Sequence, residues 1–406
     1  MIAINEALNM ILSNLPERRI KAVRFDESLG YVLAEDLVAT RNFPPFRRSA
    51  KDGYAVRASD VPKVPVELRI IGETRAGDKS TGILHKGEAI AIMTGAVVPE
   101  GADAIQMIEY TERSADGTRV TIKAPVKPDQ DIASIGADAR LGTTAIEAGR
   151  LIGPVEIAVM ASFGYRSVKV WRRPSVAILA TGNELVGVDE TPAETQIRNS
   201  NTYSVSSQLR LMGWKASHLG IARDEVEDLR NKIKLGLKKD VLIITGGVSM
   251  GKYDLVKDVF RDLGLEVLFS KVAMKPGKPT VFARFGNKLI FGLPGNPVSS
   301  FMAFENFVRP ALAKMTGYNQ PELYRIRGEL QRELKQSPGR TSFLPAWTTR
   351  SDDKWKVEPL KWKGSPDIFR FSRANSAIIF PADRDNLKSG EIVECMLFPD
   401  FLIRWR

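Results

Sequence analysis

The sequence predicts a multidomain protein of the α/β-plus-β class, in which one domain is built on a mainly parallel sheet and the remainder is rich in short strands. Three observations predict it. Between Pro174 and Gly317, continuously apolar runs end in glycine-bearing turns and alternate with helical patterns, as buried parallel strands and their crossovers do. On either side, short segments of strand character separated by turn residues replace that pattern. The 406 residues also exceed what one ordinary core organises.

Each element has its own signal. Ala7, Leu8, Ile11, Leu12 and Leu15 recur at helical spacing, and Pro16 stops that helix. YVLAEDLVA reads as strand. From Phe43 to about Ala139, VELRIIG, EAIAIMTG, ADAIQMIEY and RVTIKAP read as short strands of a small all-β module. Pro154 opens a second helix, with Gly164 placed as its left-handed cap. SVAILATG, VLIITGG and KLIFGLPGNP follow as buried strands. Between them, Val226, Leu229, Ile233 and Leu237 share one helix face, with Asp224 placed to cap it. Val256, Val259, Phe260 and Leu263 form a second face that Gly264 ends, and a third helix begins at Asn296-Pro297 and closes near Gly317. YRIRGELQ, WKVEPL and EIVECMLF return to strand, as a small barrel or sandwich.

Composition narrows the chemistry. Apolar content is 43% and charged content 26%, as in globular proteins, and no apolar run is long enough to span a bilayer. Met1 to Leu15 carries Asn5 and Glu6 without a basic start, and so reads as an amphipathic helix, not a signal peptide. The single cysteine, Cys395, allows no intrachain disulfide, and a cytoplasmic location is expected. The two histidines, His85 and His218, lie far apart, which disfavours a histidine zinc site or a Ser-His-Asp triad. Carboxylates remain, and they suit a hard ion such as Mg²⁺. The net charge of +11 attracts anions. The basic residues are spread, with no dense run interleaved with aromatics, so small anionic substrates are expected and no nucleic-acid partner.

The strongest chemistry lies in three turns at predicted strand ends, where open α/β sheets bind ligands. They are Thr181-Gly182-Asn183-Glu184, the run from Thr245 through Gly246, Gly247, Ser249 and Gly251, and Leu293-Pro294-Gly295-Asn296-Pro297. Successive glycines let backbone amides approach an anion. Ser249 adds a hydroxyl, and Asp254 follows at a helix start. Lys271, Lys275 and Lys278, framed by two prolines and a glycine, make a stiff cationic loop. Glu184, Asp224 and Asp254 form a candidate carboxylate cluster for Mg²⁺. A lone glycine pair would be a structural turn and a lone acid a cap; the combination favours phosphate or pterin binding.

In that order, TGGVSMGKYD, KVAMKPGKP and GLPGNPVS resemble a molybdopterin-binding domain that molybdopterin adenylyltransferases share. SAKDGYAVR (49–57) and IMTGAVVPEGAD (92–103) are similar to motifs of a β module that adenylyltransferases lack. From about Ala7 onward the chain therefore resembles the molybdopterin molybdenumtransferases of MoeA type, which include the molybdenum-insertion domain of gephyrin. The resemblance implies four domains: an elongated helix/strand linker and dimerisation domain (1–42 and 140–172), a β-rich module (43–139), a three-layer α/β molybdopterin-binding domain (173–317) and a C-terminal β-barrel (318–406). It also implies an elongated homodimer, with each site shared between the α/β domain of one subunit and the β module of the other. The implied reaction joins molybdate to adenylylated molybdopterin with Mg²⁺ and releases AMP, and a molybdopterin adenylyltransferase is an implied candidate partner.

Carried over by motif, the catalytic residues are Asp52, Thr94, Asp138, Lys271 and Lys275. The metal ligands are Glu184, Asp224 and Asp254. Substrate binding falls to Gly246, Gly247, Ser249, Gly251, Lys278, Pro294, Gly295, Asn296, Arg340 and Ser365. One segment departs from the family pattern. Ala133 and Ala137 stand where the family usually has arginine and glutamate, with Arg47, Arg48 and Arg140 as candidates to restore the cation. Asn183 stands where aspartate is frequent. Two rival readings are an adenylyltransferase, which would turn over ATP with molybdopterin alone, and a gephyrin-like peptide-binding scaffold without catalysis.

Overall fold

The structure is a computed structural model that describes residues 1–79, 82–247, 255–318 and 322–400. The chain forms two compact units. The first contains residues 1–22, 30–34 and 169–406, and the second 23–29 and 35–168. Among the described residues no helix is long and apolar enough to cross a membrane.

The centre of the first unit is a six-stranded sheet. Its strands are β1 (Val176–Thr181), β2 (Ala216–Ala222), β3 (Val241–Thr245), β4 (Glu266–Phe269), β5 (Val281–Phe285) and β6 (Lys288–Leu293), in the order β2-β1-β3-β6-β5-β4. β2, β1, β3 and β6 pair in parallel, and β5 alone runs against the rest. The sheet is thus mainly parallel, as expected. Every residue of β1 and β3 is buried, which explains their continuous apolar runs. Alternation along β1 sends Val176 and Ile178 into one core and Ala177 and Leu179 into another. On the first face lie α1 (Asn201–Leu211), through Val205 and Leu209, and the N-terminal helix Ile4–Ser13, through Ala7 and Ile11. On the second lie α2 (Val226–Gly236), through Leu229 and Ile233, and α3 (Leu255–Asp262), through Val256, Val259 and Phe260. A last helical stretch starts with α4 (Pro297–Ala303), passes through a π turn (Phe304–Val308), and ends at Gly317, whose φ is +81°.

The capping role expected of Asp224 is not found. Glu225 precedes the first turn of α2, and the Asp224 carboxylate accepts instead from the Asn183 N–H at 3.3 Å. The Asn183 side-chain oxygen accepts from the Asp224 N–H in return, at 3.1 Å. The turns after β1 and β2 are thereby tied together, a pairing between remote segments that no local pattern reveals.

The C-terminal strands close into a five-stranded barrel in the order Thr341–Ser351, Lys354–Pro359, Arg325–Leu330, Ile392–Leu397, Ser376–Phe380. The last strand pairs back on the first, which settles the choice between barrel and sandwich. Met274 and Lys275 add a short parallel strand beside Thr341 and Ser342. Cys395 is buried among the barrel's core residues.

The entry ends of β1 and β3 are joined by Asp240. Its carboxylate accepts from the Ser175 N–H and hydroxyl, both at 2.7 Å, and from Arg172 at 3.0 Å. Burial opposes ionisation of Asp240, but these donors outweigh it and hold the carboxyl far below the usual range. A depressed pKa stabilises the fold above the unfolded value, near 4, and that gain is lost as pH falls through the folded value. Asp240→Asn is therefore expected to cost roughly 1–2 kcal/mol at pH 7. Urea midpoints of the two proteins should converge as pH drops below about 4; a gap unchanged at pH 3 would refute this role.

The second unit holds a separate six-stranded sheet in the order Ala104–Met107, Gly53–Val56, Glu88–Ile92, Val66–Thr74, Arg119–Ile122, Thr111–Arg113. Gly53 is required there, because a Cβ would sit 1.9 Å from the Gln106 carbonyl oxygen. Helix Pro154–Ser162 follows, ended by Gly164 at φ +74°.

Candidate active site

β1, β3 and β6 are adjacent and parallel, and Thr245 is level with Ala180 on one side and Leu293 on the other. The three glycine turns therefore leave the sheet side by side. The Gly246 N–H donates to the Leu293 carbonyl at 3.1 Å. A Cβ on Gly246 would meet the Thr181 carbonyl at 2.5 Å, and one on Gly247 would meet the Thr181 hydroxyl at 2.1 Å. Both glycines have positive φ, at +82° and +58°. Only glycine permits this approach of three backbones.

Outside these strand ends lies a cleft of about 800 Å³. The α/β domain supplies its floor: Glu184 after β1, Gly246 and Gly247 after β3, Pro294, Gly295 and Asn296 after β6. Lys275 and Lys278 form one wall. The barrel segment supplies Arg340, Trp362, Lys363 and Ser365. Two bonds fix this wall: the Lys275 ammonium donates to the Gln336 side-chain oxygen at 3.0 Å, and the Asn296 amide to the Ser365 hydroxyl at 3.0 Å. The Lys275–Pro276 peptide is cis.

Charge in the cleft is one-sided. Among the described lining residues, Arg198, Lys275, Lys278, Arg340 and Lys363 face a single carboxylate, Glu184. A concave site of this kind concentrates polyanions. Three lining residues also bury a polar atom that has no hydrogen-bond partner among the described residues: Thr181 Oγ1, Thr245 Oγ1 and Asn201 Oδ1. Buried polar groups are nearly always paired, so these atoms are open to bonds from a ligand, a water or the neighbouring chain.

The structure thus gathers Gly246, Gly247, Lys275, Lys278, Pro294, Gly295, Asn296, Arg340, Ser365 and Glu184 around one cleft. Lys271 is exposed and not part of its lining. Asp224 sits at the end of β2, held by Asn183. Ser249, Gly251 and Asp254 lie outside the described residues. Among the described residues no group of three potential ligands forms a metal site. The oxygen donors that are described, Glu184 and the two free threonine hydroxyls, are hard ligands that fit Mg²⁺ and not a thiophilic metal. Arg198, Asn201, Trp362 and Lys363 were not anticipated; Thr181 and Thr245 were placed in the candidate turns, with no role given to their hydroxyls, and the repeated Thr-Gly at the ends of β1 and β3 is the signal that marks them.

Asp52, Thr94 and Asp138 belong to the second unit. The Asp52 carboxylate accepts from the Thr94 N–H at 2.7 Å, and both residues are exposed. Asp138 lies 3.4 Å from Arg48.

The chain is similar along its length to known proteins. Residues 2–164 match the MoeA N-terminal region (domains I and II), 177–314 a probable molybdopterin binding domain, and 327–398 the MoeA C-terminal region (domain IV). The molybdopterin molybdenumtransferase of Staphylococcus aureus (strain COL) is 33% identical over 401 residues, which cover 98% of this chain and 95% of the relative. That of Staphylococcus epidermidis (strain ATCC 12228) is likewise 33% identical, with the same coverage. The molybdopterin biosynthesis MoeA protein of Pyrococcus horikoshii superposes with a TM-score of 0.80 at 31% identity, covering 98% of this chain and 99% of that one.

Proposed function

The chain belongs to the MoeA-type molybdopterin molybdenumtransferases of molybdenum cofactor biosynthesis, and from that premise we propose that its cleft binds adenylylated molybdopterin and molybdate and releases AMP. The observation that carries this reading is the excess of cations over carboxylates around the glycine-lined strand ends. Both substrates are anions, and their mutual repulsion must be offset before they react. Lys275, Lys278 and Arg340 supply fixed positive charge, and the glycine turns allow close backbone approach. Trp362 offers an apolar wall to the pterin. Thr181, Thr245 and Asn201 present acceptors and hydroxyls that a polar heterocycle or a phosphate can satisfy. Mg²⁺ held by Glu184, with Asp224 and Asp254, would polarise the phosphoanhydride and neutralise charge leaving with AMP. The matches at both ends of the chain favour this reading over an adenylyltransferase, which has no β module.

We also propose a cytoplasmic homodimer in which Asp52, Thr94 and Asp138 of one subunit serve the cleft of the other. Mixing two inactive variants tests the function and the sharing at once. Asp52→Ala and Lys275→Ala proteins, co-refolded or co-expressed in equal amounts, form mixed dimers in about half of cases by chance association. Each mixed dimer would carry one site with both residues intact. About a quarter of wild-type AMP release should return, as expected of such isologous pairing. A mixture that stays as inactive as its components contradicts a shared site.

A further inference from the structure

In the second unit one arginine lies both against a motif acid and directly opposite Ala133. Residues 47–49 form the middle of a small three-ply arrangement. On one side, Gly95 N–H donates to the Ser49 carbonyl, Ser49 N–H to the Ala96 carbonyl, and Val98 N–H to the Arg47 carbonyl, at 2.8–3.0 Å. On the other side, Arg48–Ser49 pairs antiparallel with Ile132–Ala133, and Ala133 lies directly opposite Arg48. The loop before Ile132 reaches this register through Asp129 and Asp131, both in the left-handed region at φ +62° and +55°.

Residues directly opposite in an antiparallel pair project from the same face, with Cβ atoms about 5 Å apart. Arg48 therefore serves the same space that a side chain at 133 would. Successive residues alternate faces, so Arg47 points the other way, and it pairs with Asp129 at 3.4 Å. Arg140 runs its methylene stem past Gly136. Arg48 is also the arginine that meets a motif acid: its Nη2 lies 3.4 Å from Asp138 Oδ2. Asp138 is itself fixed, its N–H donating to the Phe43 carbonyl at 2.9 Å. Among the described residues, one long contact to Asp138 leaves most of the guanidinium's five N–H donors available. Both side chains remain partly exposed, so an anion can reach them.

We propose that Arg48 is the oxyanion-binding group of this module: oriented by Asp138, it supplies the guanidinium that Ala133 lacks. The planar fork suits a tetrahedral oxyanion or a phosphate group. This rests on the transferase reading above for the identity of the anion, molybdate, and on the proposed pairing of this module with the partner subunit's cleft.

The test compares wild type with Arg48→Ala, Arg48→Lys and the double variant Arg48→Ala/Ala133→Arg. Arg48→Ala should raise the molybdate concentration for half-maximal AMP release by about tenfold, the worth of one charge-assisted contact. Affinity for adenylylated molybdopterin and the melting temperature should change little. Arg48→Lys should fall between, because it keeps the charge and loses the fork. The double variant should return most of the lost molybdate affinity, since its arginine projects from the opposite strand into the same space. An unchanged half-saturation in Arg48→Ala overturns the proposal, as does a double variant no better than the single one. If wild type releases no AMP, the transferase reading fails on its own. Molybdate binding by calorimetry then decides for Arg48: weaker binding in Arg48→Ala sustains the proposal, and equal binding removes it.

Discussion

Lys275→Ala should lower the rate of AMP release by about 10²–10³-fold, the loss typical when one preorganised charged donor is removed from a developing anion. Three features set this expectation. Lys275 is placed by strand pairing with Ser342, so its backbone does not wander. Its ammonium is already directed, donating to Gln336 at 3.0 Å. It stands at the wall of a cleft in which the described residues include one carboxylate, so no neighbour competes strongly for it. The side chain is exposed, so the melting temperature should hold. Single-turnover AMP release, measured beside substrate binding, separates the two effects. Lys275→Arg should recover part of the rate through charge but not geometry. A full rate in Lys275→Ala would mean that the charge required at the reacting centre comes from elsewhere.

Gly247→Ala should act on binding, by about a hundredfold or more, because it adds both a left-handed strain of 1–2 kcal/mol and a steric collision. The new Cβ would sit 2.1 Å from Thr181 Oγ1, and Thr181 is only 1% exposed on a central strand, so it cannot withdraw. The turn must move, and with it the amides that face the ligand. Pairing the change with Thr181→Ala removes the closest contact and should restore much of the melting temperature. Binding should stay weak, because the positive φ and the missing hydroxyl both remain. Tight substrate binding by Gly247→Ala would show that the turn after β3 is not the binding surface.

Much of the fold was legible because its signals are local. The runs 176–180, 241–244 and 289–291 are buried on both faces and so are apolar throughout, which a reader of sequence sees directly. Leu229, Ile233, Val259 and Phe260 repeat at helical spacing because each helix offers one face to the sheet. Glycines at 246, 247 and 164 mark positive φ that other residues resist.

What escaped was non-local. Barrel closure depends on pairing between 341–351 and 376–380, and strand patterns alone do not distinguish that from a sandwich. Asp224 precedes a helix, the usual place for a cap, but a partner from the neighbouring turn captured its carboxylate. Asn183, where an acid is frequent in the family, donates its N–H to Asp224 and accepts from it in return. An aspartate at 183 would set a second negative charge beside the first. Asn201 and Trp362 are unremarkable in sequence and acquire meaning only when strand ends and barrel meet around one space. Arg48 was one of three candidate arginines by charge, and strand register singles it out.

The central claim is that this cationic cleft brings two anions together and expels a third. Purified protein is mixed with adenylylated molybdopterin and Mg²⁺, molybdate is added, and free AMP and active cofactor are measured with time. The account predicts AMP release that requires molybdate, yields active cofactor, and falls in Lys275→Ala without loss of fold. AMP release indifferent to molybdate, or bound substrate that stays intact when molybdate is added, would contradict it.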